Sequence, residues 1–235
     1  MSPIDRTEPL VDLRLFPLAR IVLVPGMAVT LQVFEPRYRA LVAECLEDGA
    51  PFGVVLIREG DEVGEAGGPI VPHSIGTTAR ITSVIPGPDG RLHLEAIGER
   101  RFRILTLRHD RSYLSAEVEF PVEEVGSAPL SMMEQAREGL RQLEQLRATI
   151  RGAYERGAEL PQTPSQLADR ILVATSLPVV DGGAYVAERQ RLLEDLDAGR
   201  RLREALPLLE RAITGLHQQA SAVVSDRWAG LGAAN

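Results

Sequence analysis

The chain changes its hydrophobic rhythm near residue 122. Before that point, short apolar runs are punctuated by Gly and Pro, and several alternate apolar and polar residues with the period of two that a half-buried strand needs. The runs Val11–Leu18, Ile21–Val24, Ala28–Phe34, Phe52–Arg58, Thr77–Ile85, Arg91–Ile97, Arg101–Arg108 and Tyr113–Phe120 are predicted as strands. The segment Pro86-Gly87-Pro88-Asp89-Gly90 predicts a hairpin between two of them, and Gly98-Glu99 predicts a second tight connection. One helix interrupts this half, over Pro36–Asp48. Pro36 suits the first turn, where its missing N–H costs nothing, Tyr38, Leu41, Val42 and Cys45 recur at helical spacing, and Gly49 can take the left-handed position that ends a helix. The acidic, Gly-rich stretch Glu59–Gly68 has no period and reads as a surface loop.

After residue 122 the period becomes helical. A linker, Gly126–Pro129, leads into a helix from about Leu130 to Arg156 whose stripe is Met133, Ala136, Leu140, Leu143 and Ile150, with Gly157 and Pro161 ending it. Thr163-Pro164 supplies an N-cap and first-turn pair for a helix to about Thr175 with Leu167, Ile171 and Ala174 inward. A third helix is predicted over Tyr185–Leu196. The last segment carries Leu202, Leu206, Leu209, Ile213 and Leu216 at steps of four and three, a seam for packing within its own bundle or against a partner. Pro207 lies inside it and predicts a kink or break, since an interior Pro costs about 3 kcal/mol, and the tail after Trp228 is expected to fray. The fold class is therefore α+β, with domains at 10–122 and 123–225.

Composition narrows the chemistry. The 235 residues are 44% hydrophobic and 25% charged, as in ordinary globular proteins, and the 4% of aromatics leaves the core to Leu, Val, Ile and Ala. All 26 basic residues are Arg. A sequence without Lys holds no Walker A loop, no Ser–Lys dyad and no Schiff-base amine. The net charge of −7 opposes binding to nucleic-acid phosphate. Arg100, Arg101 and Arg103 cluster, but they alternate with Phe102 and Ile104 and read as the outer face of a strand. The single cysteine, Cys45, forbids an internal disulfide and reads as a buried, inert thiol. No signal peptide or membrane-length apolar run is visible, which leads to the expectation of a cytoplasmic protein that contacts no membrane. His73, His93, His109 and His217 lack metal-ligand spacing, Asp12, Asp89 and Asp110 have no catalytic context, and neither a Gly-x-Ser-x-Gly elbow nor a Gly-x-Gly-x-x-Gly fingerprint occurs. No catalytic residue, cofactor site or metal site is expected.

Six stretches carry a resemblance. Leu13-Arg14-Leu15-Phe16-Pro17-Leu18 is followed by Val22-Leu23-Val24-Pro25-Gly26 and by Leu31-Gln32-Val33-Phe34-Glu35-Pro36-Arg37-Tyr38. Phe52-Gly53-Val54-Val55-Leu56, Gly76-Thr77-Thr78-Ala79-Arg80-Ile81 and Gly98-Glu99-Arg100-Arg101-Phe102 come downstream. In this order they resemble the N-terminal, substrate-binding domain of Lon-type ATP-dependent proteases. Leu167-Ala168-Asp169-Arg170-Ile171 and the region from Arg189 to Leu206 look like that domain's helical extension, and the likeness runs over roughly Leu10–Gln218. The resemblance implies a PUA-like β pseudo-barrel followed by a helical bundle. It also implies a non-catalytic protein that holds unfolded or extended polypeptide segments, in a cleft between the halves or along an open sheet edge, as an adaptor or in protein quality control. A module that associates with a Lon-type protease, a PUA-like RNA binder and a cryptic hydrolase are the alternatives.

Phe34, Arg37 and Tyr38 are the candidate peptide-binding residues. On one reading, Arg37 and Tyr38 offer a charge and an aromatic face beside a groove. On the other, Phe34 and Tyr38 lie in the core and Glu35 pairs with an arginine at the strand-to-helix corner.

Overall fold

The structure, a computed structural model, describes residues 11–60, 70–152, 159–176 and 182–232, with backbone alone at 182–184 and 220–232. The chain divides into two compact units, interleaved in sequence. Among the described residues, the first comprises 11–122 with 182–196, and the second comprises 123–176 with 197–232.

The first unit is a seven-stranded, mostly antiparallel sheet with two helices. Its elements are β1 (Val11–Leu18), β2 (Ala28–Val33), α1 (Pro36–Asp48), β3 (Phe52–Glu59), β4 (Val71–Pro72), β5 (Ile75–Pro86), β6 (Leu92–Arg108), β7 (Ser115–Glu119) and α4 (Gly182–Glu194). The strand order is β1-β7-β6-β5-β3-β4, with β2 paired to β6. Strand β1 changes partner halfway: Val11 to Arg14 lie antiparallel to β7, and Leu15 to Leu18 lie parallel to β3. The sheet is thus strongly curled, though it is not a closed barrel.

The alternation read from sequence is real in β2, whose residues run exposed, buried, exposed, buried with Val29, Leu31 and Val33 inward. These join Phe16, Leu23, Leu41, Phe52, Val54 and Leu94 in the main core, onto which α1 lays Tyr38, Leu41, Val42 and Cys45. Helix α1 has the predicted limits, with Pro36 at its start and Gly49 left-handed at φ 68°. A smaller core on another part of the sheet gathers Leu13, Leu15, Val55, Phe102 and Val118.

Three strand predictions are corrected. Arg91–Ile97 and Arg101–Arg108 are halves of one strand, β6, which pairs β2 through Leu92 to Ile97 and β7 through Arg103 to Arg108. Gly98 makes no turn. Its N–H donates to the Met27 carbonyl at 2.9 Å, its carbonyl accepts from Gly26 at 2.8 Å, and a Cβ there would sit 2.5 Å from the Val24 oxygen. The glycine is demanded by close backbone approach. The segment pressing on it, Ile21 to Val24, is not a strand although Val22, Leu23 and Val24 are buried, and the Thr77 hydroxyl donates to its Leu23 carbonyl at 2.7 Å. The hairpin at residues 86–90 forms as expected, through a 3₁₀ turn at Pro88–Gly90 with Asp89 and Gly90 at positive φ. The predicted loop Glu59–Gly68 falls largely outside the described residues.

The second unit consists of α2 (Leu130–Arg151), α3 (Pro164–Ala174) and α5 (Ala198–Gly232). Helix α2 ends on left-handed Gly152 rather than near Arg156, and the predicted stop at Gly157 lies outside the described residues. Thr163 caps α3, its hydroxyl accepting from the Gln166 N–H. The seam residues Leu202, Leu206, Leu209 and Leu216 are buried against Met133, Ala136, Leu140, Leu143, Leu167 and Ile171, so the stripe serves its own bundle.

Neither a break at Pro207 nor fraying after Trp228 is seen: α5 is one helix of 35 residues through Gly232. Pro207, Arg203 and Glu210 all face solvent, so the Arg203 carbonyl that Pro207 cannot serve is open to water. Among the described residues no helix is long and apolar enough to cross a membrane.

Candidate polypeptide-binding site

At the end of β2 the chain turns sharply into α1, and the turn sorts the three candidate residues. Glu35 precedes the helix with extended backbone (φ −68°, ψ 135°) and makes no side-chain cap; its carboxylate instead accepts from Arg37, at 2.8 Å from Nε and 2.7 Å from Nη2. That pair holds the Arg37 guanidinium 4.6 Å from the Tyr38 ring centroid, a cation–π distance. Tyr38, only 4% exposed, stacks on Phe16 with centroids 4.1 Å apart and planes 18° from parallel. Phe34 points the other way and is 52% exposed.

Each reading of this motif is therefore half met. Tyr38 is core and Glu35 pairs with an arginine, whereas Phe34 is a surface residue. The alternation of β2 explains this: Thr30, Gln32 and Phe34 fall on the outward positions, and Phe34 puts an apolar ring where the pattern calls for a polar group.

Phe34 lines a groove of about 170 Å³ whose walls also include Phe16, Leu18, Ile21, Thr30 and Gln32. The volume is below the ~300–1,000 Å³ of small-molecule pockets and suits a single side chain. Among the described residues β2 pairs with β6 alone, so its other edge takes no strand. An unpaired edge offers N–H and C=O groups to an extended chain, while neighbouring side chains select what that chain carries. Leu18, Ile21, Thr30 and Gln32 were missed as lining residues. The signal was available for Thr30 and Gln32, in the outward phase they share with Phe34, but Leu18 and Ile21 reach the groove only through the curl of the sheet.

Other polar clusters serve the fold. The Glu44 carboxylate accepts from the Tyr113 hydroxyl, Arg14 Nε (3.2 Å) and Arg111 Nη1 (2.9 Å), and Arg14 also reaches Asp48 at 2.6 Å. The Tyr113 hydrogen bond, then Arg14, hold the Glu44 carboxyl below its ordinary range. Burial, reinforced by the bond to Glu44, holds Tyr113 above its own. The Cys45 thiol is buried beside this cluster, and desolvation raises its pKa, as befits an inert group.

Arg101, predicted on an outer strand face, is instead buried, with Nε donating to the Leu193 carbonyl at 3.1 Å. Arg101 and Phe102 are consecutive on β6 and point to opposite faces; both are buried because Phe102 enters the smaller core while the last turn of α4 covers Arg101 and offers a carbonyl that a cation complements. Among the described residues no group of three or more His, Cys, Asp and Glu side chains is placed to hold a metal.

Comparison with known proteins decides the family. The profile described as ATP-dependent protease La (LON) substrate-binding domain matches residues 12–211. The chain belongs to the Lon substrate-binding domain family. A Lon protease from Anaeromyxobacter dehalogenans is 27% identical over 206 residues, covering 85% of this chain and 23% of the relative. Lon protease 2 from Myxococcus xanthus is 28% identical over 206 residues, again 85% and 23%. The chain thus spans about a quarter of the length of these curated relatives. Among solved structures, a Lon N-terminal domain protein from Xanthomonas campestris is 29% identical, with a TM-score of 0.58 over 84% of this chain and 98% of that one. The N-terminal domain of the Mycobacterium avium complex Lon protease, at 20% identity and a TM-score of 0.59 over 85% and 98%, shares the fold.

Proposed function

We propose that this Lon-type substrate-binding domain is a non-catalytic polypeptide holder that captures exposed apolar or extended segments in the cytoplasm, as an adaptor or together with a Lon-type protease. The single observation that carries this reading is Phe34, an exposed aromatic ring at the end of β2 beside that strand's unpaired edge. A bound segment adds to the β2 edge through main-chain hydrogen bonds and drops one apolar side chain into the groove against Phe34. Glu35 and Tyr38 also line the groove, whereas Arg37, held by Glu35, lies outside its lining and reaches only a chain that extends past it. Partner sheets of this kind read side chains at alternate positions, so specificity is loose and favours any extended chain with an apolar residue in phase.

The lack of lysine throughout these 235 residues supports a holder rather than a cutter, since neither a Walker A lysine nor a Ser–Lys dyad lies within them. We read the curled sheet as the PUA-like pseudo-barrel that the family resemblance implies, because β1 links the two ends of the path β7-β6-β5-β3. Fluorescence anisotropy with extended apolar peptides tests the proposal. The protein binds them, and Phe34→Ser weakens binding about tenfold, the scale of losing one buried aromatic contact of ~1.5 kcal/mol, without lowering the melting temperature. Absence of binding to every member of a broad apolar peptide set overturns it.

A further inference from the structure

A second, larger hollow lies wholly within the first unit, beside α4. Its volume is about 650 Å³, inside the range of ligand pockets and well above that of the Phe34 groove. Buried Leu56 and Ile57 of β3, with Val186 of α4, form an apolar wall. Val186, Gln190 and Glu194 follow one another at steps of four, so one face of α4 supplies both the wall and the polar groups next to it.

One cation in this hollow, Arg20, is unmatched. Glu194 is the one acidic residue among the lining, and its carboxylate is already engaged, with His73 Nδ1 at 2.9 Å and Gln190 Nε2 donating at 2.8 Å. Gln190 is itself buried and fixed by a second bond, to the Ile75 carbonyl at 3.0 Å. Two guanidiniums, Arg20 just past β1 and Arg191 on α4, line the same hollow. Arg20 is exposed and makes no hydrogen bond or ion pair among the described residues. In a chain of net charge −7, the unmatched Arg20 guanidinium and an already occupied anion beside an apolar wall call for an anionic group on an apolar body.

We infer that this pocket takes the free carboxyl end of a polypeptide whose last residue is apolar. The inference deepens the polypeptide-holding function proposed above and rests on it. An internal Asp or Glu brings a carboxylate without an apolar group on the same residue, and chain continues from both of its sides. A terminal Leu or Val carries carboxylate and apolar side chain on one carbon, and the hollow's lining brings guanidinium and the Leu56–Ile57–Val186 wall together. The carboxylate accepts from Arg20 and Arg191, the side chain lies on the wall, and the preceding residues leave toward solvent.

Two ten-residue peptides ending in Leu, one a free acid and the other a C-terminal amide, test this by anisotropy against the full chain. The acid binds about tenfold tighter, as expected for a charge-assisted pair of hydrogen bonds. Arg20→Gln, at an exposed bend, brings the acid to the affinity of the amide and leaves the amide unchanged, and Arg191→Gln acts in the same direction. Equal affinity of acid and amide, or an Arg20→Gln effect that is the same on both, overturns the assignment. If the two peptides bind equally and both weaken with Phe34→Ser, the polypeptide-holding function stands and the pocket assignment falls; if neither binds, both fall. 4-Methylpentanoate, which has the same carboxylate and side chain but no peptide, competes only at much higher concentration. Competition at peptide-like concentration would assign the pocket to small apolar acids and overturn the chain-end reading.

Discussion

The two units put the same cation to opposite uses. In the sheet unit, Arg14 and Arg111 work at the surface, joining β1 and the residues before β7 to α1 through Glu44, Asp48 and Asp12. In the helical unit, Arg201 is fully enclosed. Its Nη2 donates to Glu123 at 2.9 Å and to the Ser165 hydroxyl at 2.8 Å, and its Nε lies 3.7 Å from Asp169. A guanidinium loses less hydration than an ammonium when buried, and its five donors can be shared among several acceptors. A bundle whose sequence arrives in two pieces thus gains a fastener: Arg201, near the start of the second piece, grips Glu123 at the start of the first and Asp169 in α3. The sheet-unit cluster is only partly enclosed, with its Glu44 and Asp48 carboxylates 40% and 45% exposed, and is screened by water.

That contrast can be broken in order of expected effect. Arg201→Ala leaves buried Asp169 and partly exposed Glu123 without their cation and is expected to cost about 3–5 kcal/mol by urea denaturation, whereas the volume-matched Arg201→Met combined with Asp169→Asn recovers much of the loss. Recovery in the double variant identifies the penalty as orphaned charge; no recovery would make the ion pair itself the stabilising element. Gly98→Ala forces a methyl against the Val24 carbonyl and is expected to cost about 1–3 kcal/mol, more than the few tenths an ordinary strand Gly→Ala change would produce.

The surface cluster is expected to give the smallest effect and the only one with a clear pH signature. Glu44 has a depressed pKa in the folded state, so its contribution is present above the ordinary glutamate value of 4.5 and fades as the pH falls through the folded value. Tyr113 has a raised pKa, so its contribution is complete below 10 and fades as the pH rises past that point. Tyr113→Phe removes the hydrogen bond that depresses Glu44 most, and moves the acid limb of the stability curve to higher pH. Carboxyl-carbon NMR titration of Glu44 reports the same shift; an unmoved Glu44 titration would detach the two groups. High salt should shrink the Arg14 and Arg111 contributions and leave that of Arg201 nearly intact.

How much of this was legible in the sequence depended on how local the signal was. Helix α1 could be bounded to the residue because Pro36, the Tyr38-Leu41-Val42-Cys45 spacing and Gly49 all act within the helix itself. The α5 seam was legible for the same reason. Gly98 misled because the same residue type serves a turn and a close approach, and the atom that decides between them belongs to Val24, far away in sequence. Arg101 misled because alternation says nothing of a helix arriving about ninety residues later to cover the outer face. Phe34 was visible as a motif residue, yet whether it faced the core or the solvent was settled only by the phase of β2.

The interleaved connectivity has a consequence for biosynthesis. The sheet unit includes α4, which supplies the Leu193 carbonyl to Arg101 and the Gln190 amide to Ile75, so a nascent chain that has emerged only as far as Val122 lacks part of the unit it has begun. The ribosome must deliver most of the helical half before the sheet can be completed. Until then the seat of α4 stays empty, and a fragment cut at the apparent boundary near residue 122 would remain in that unfinished state.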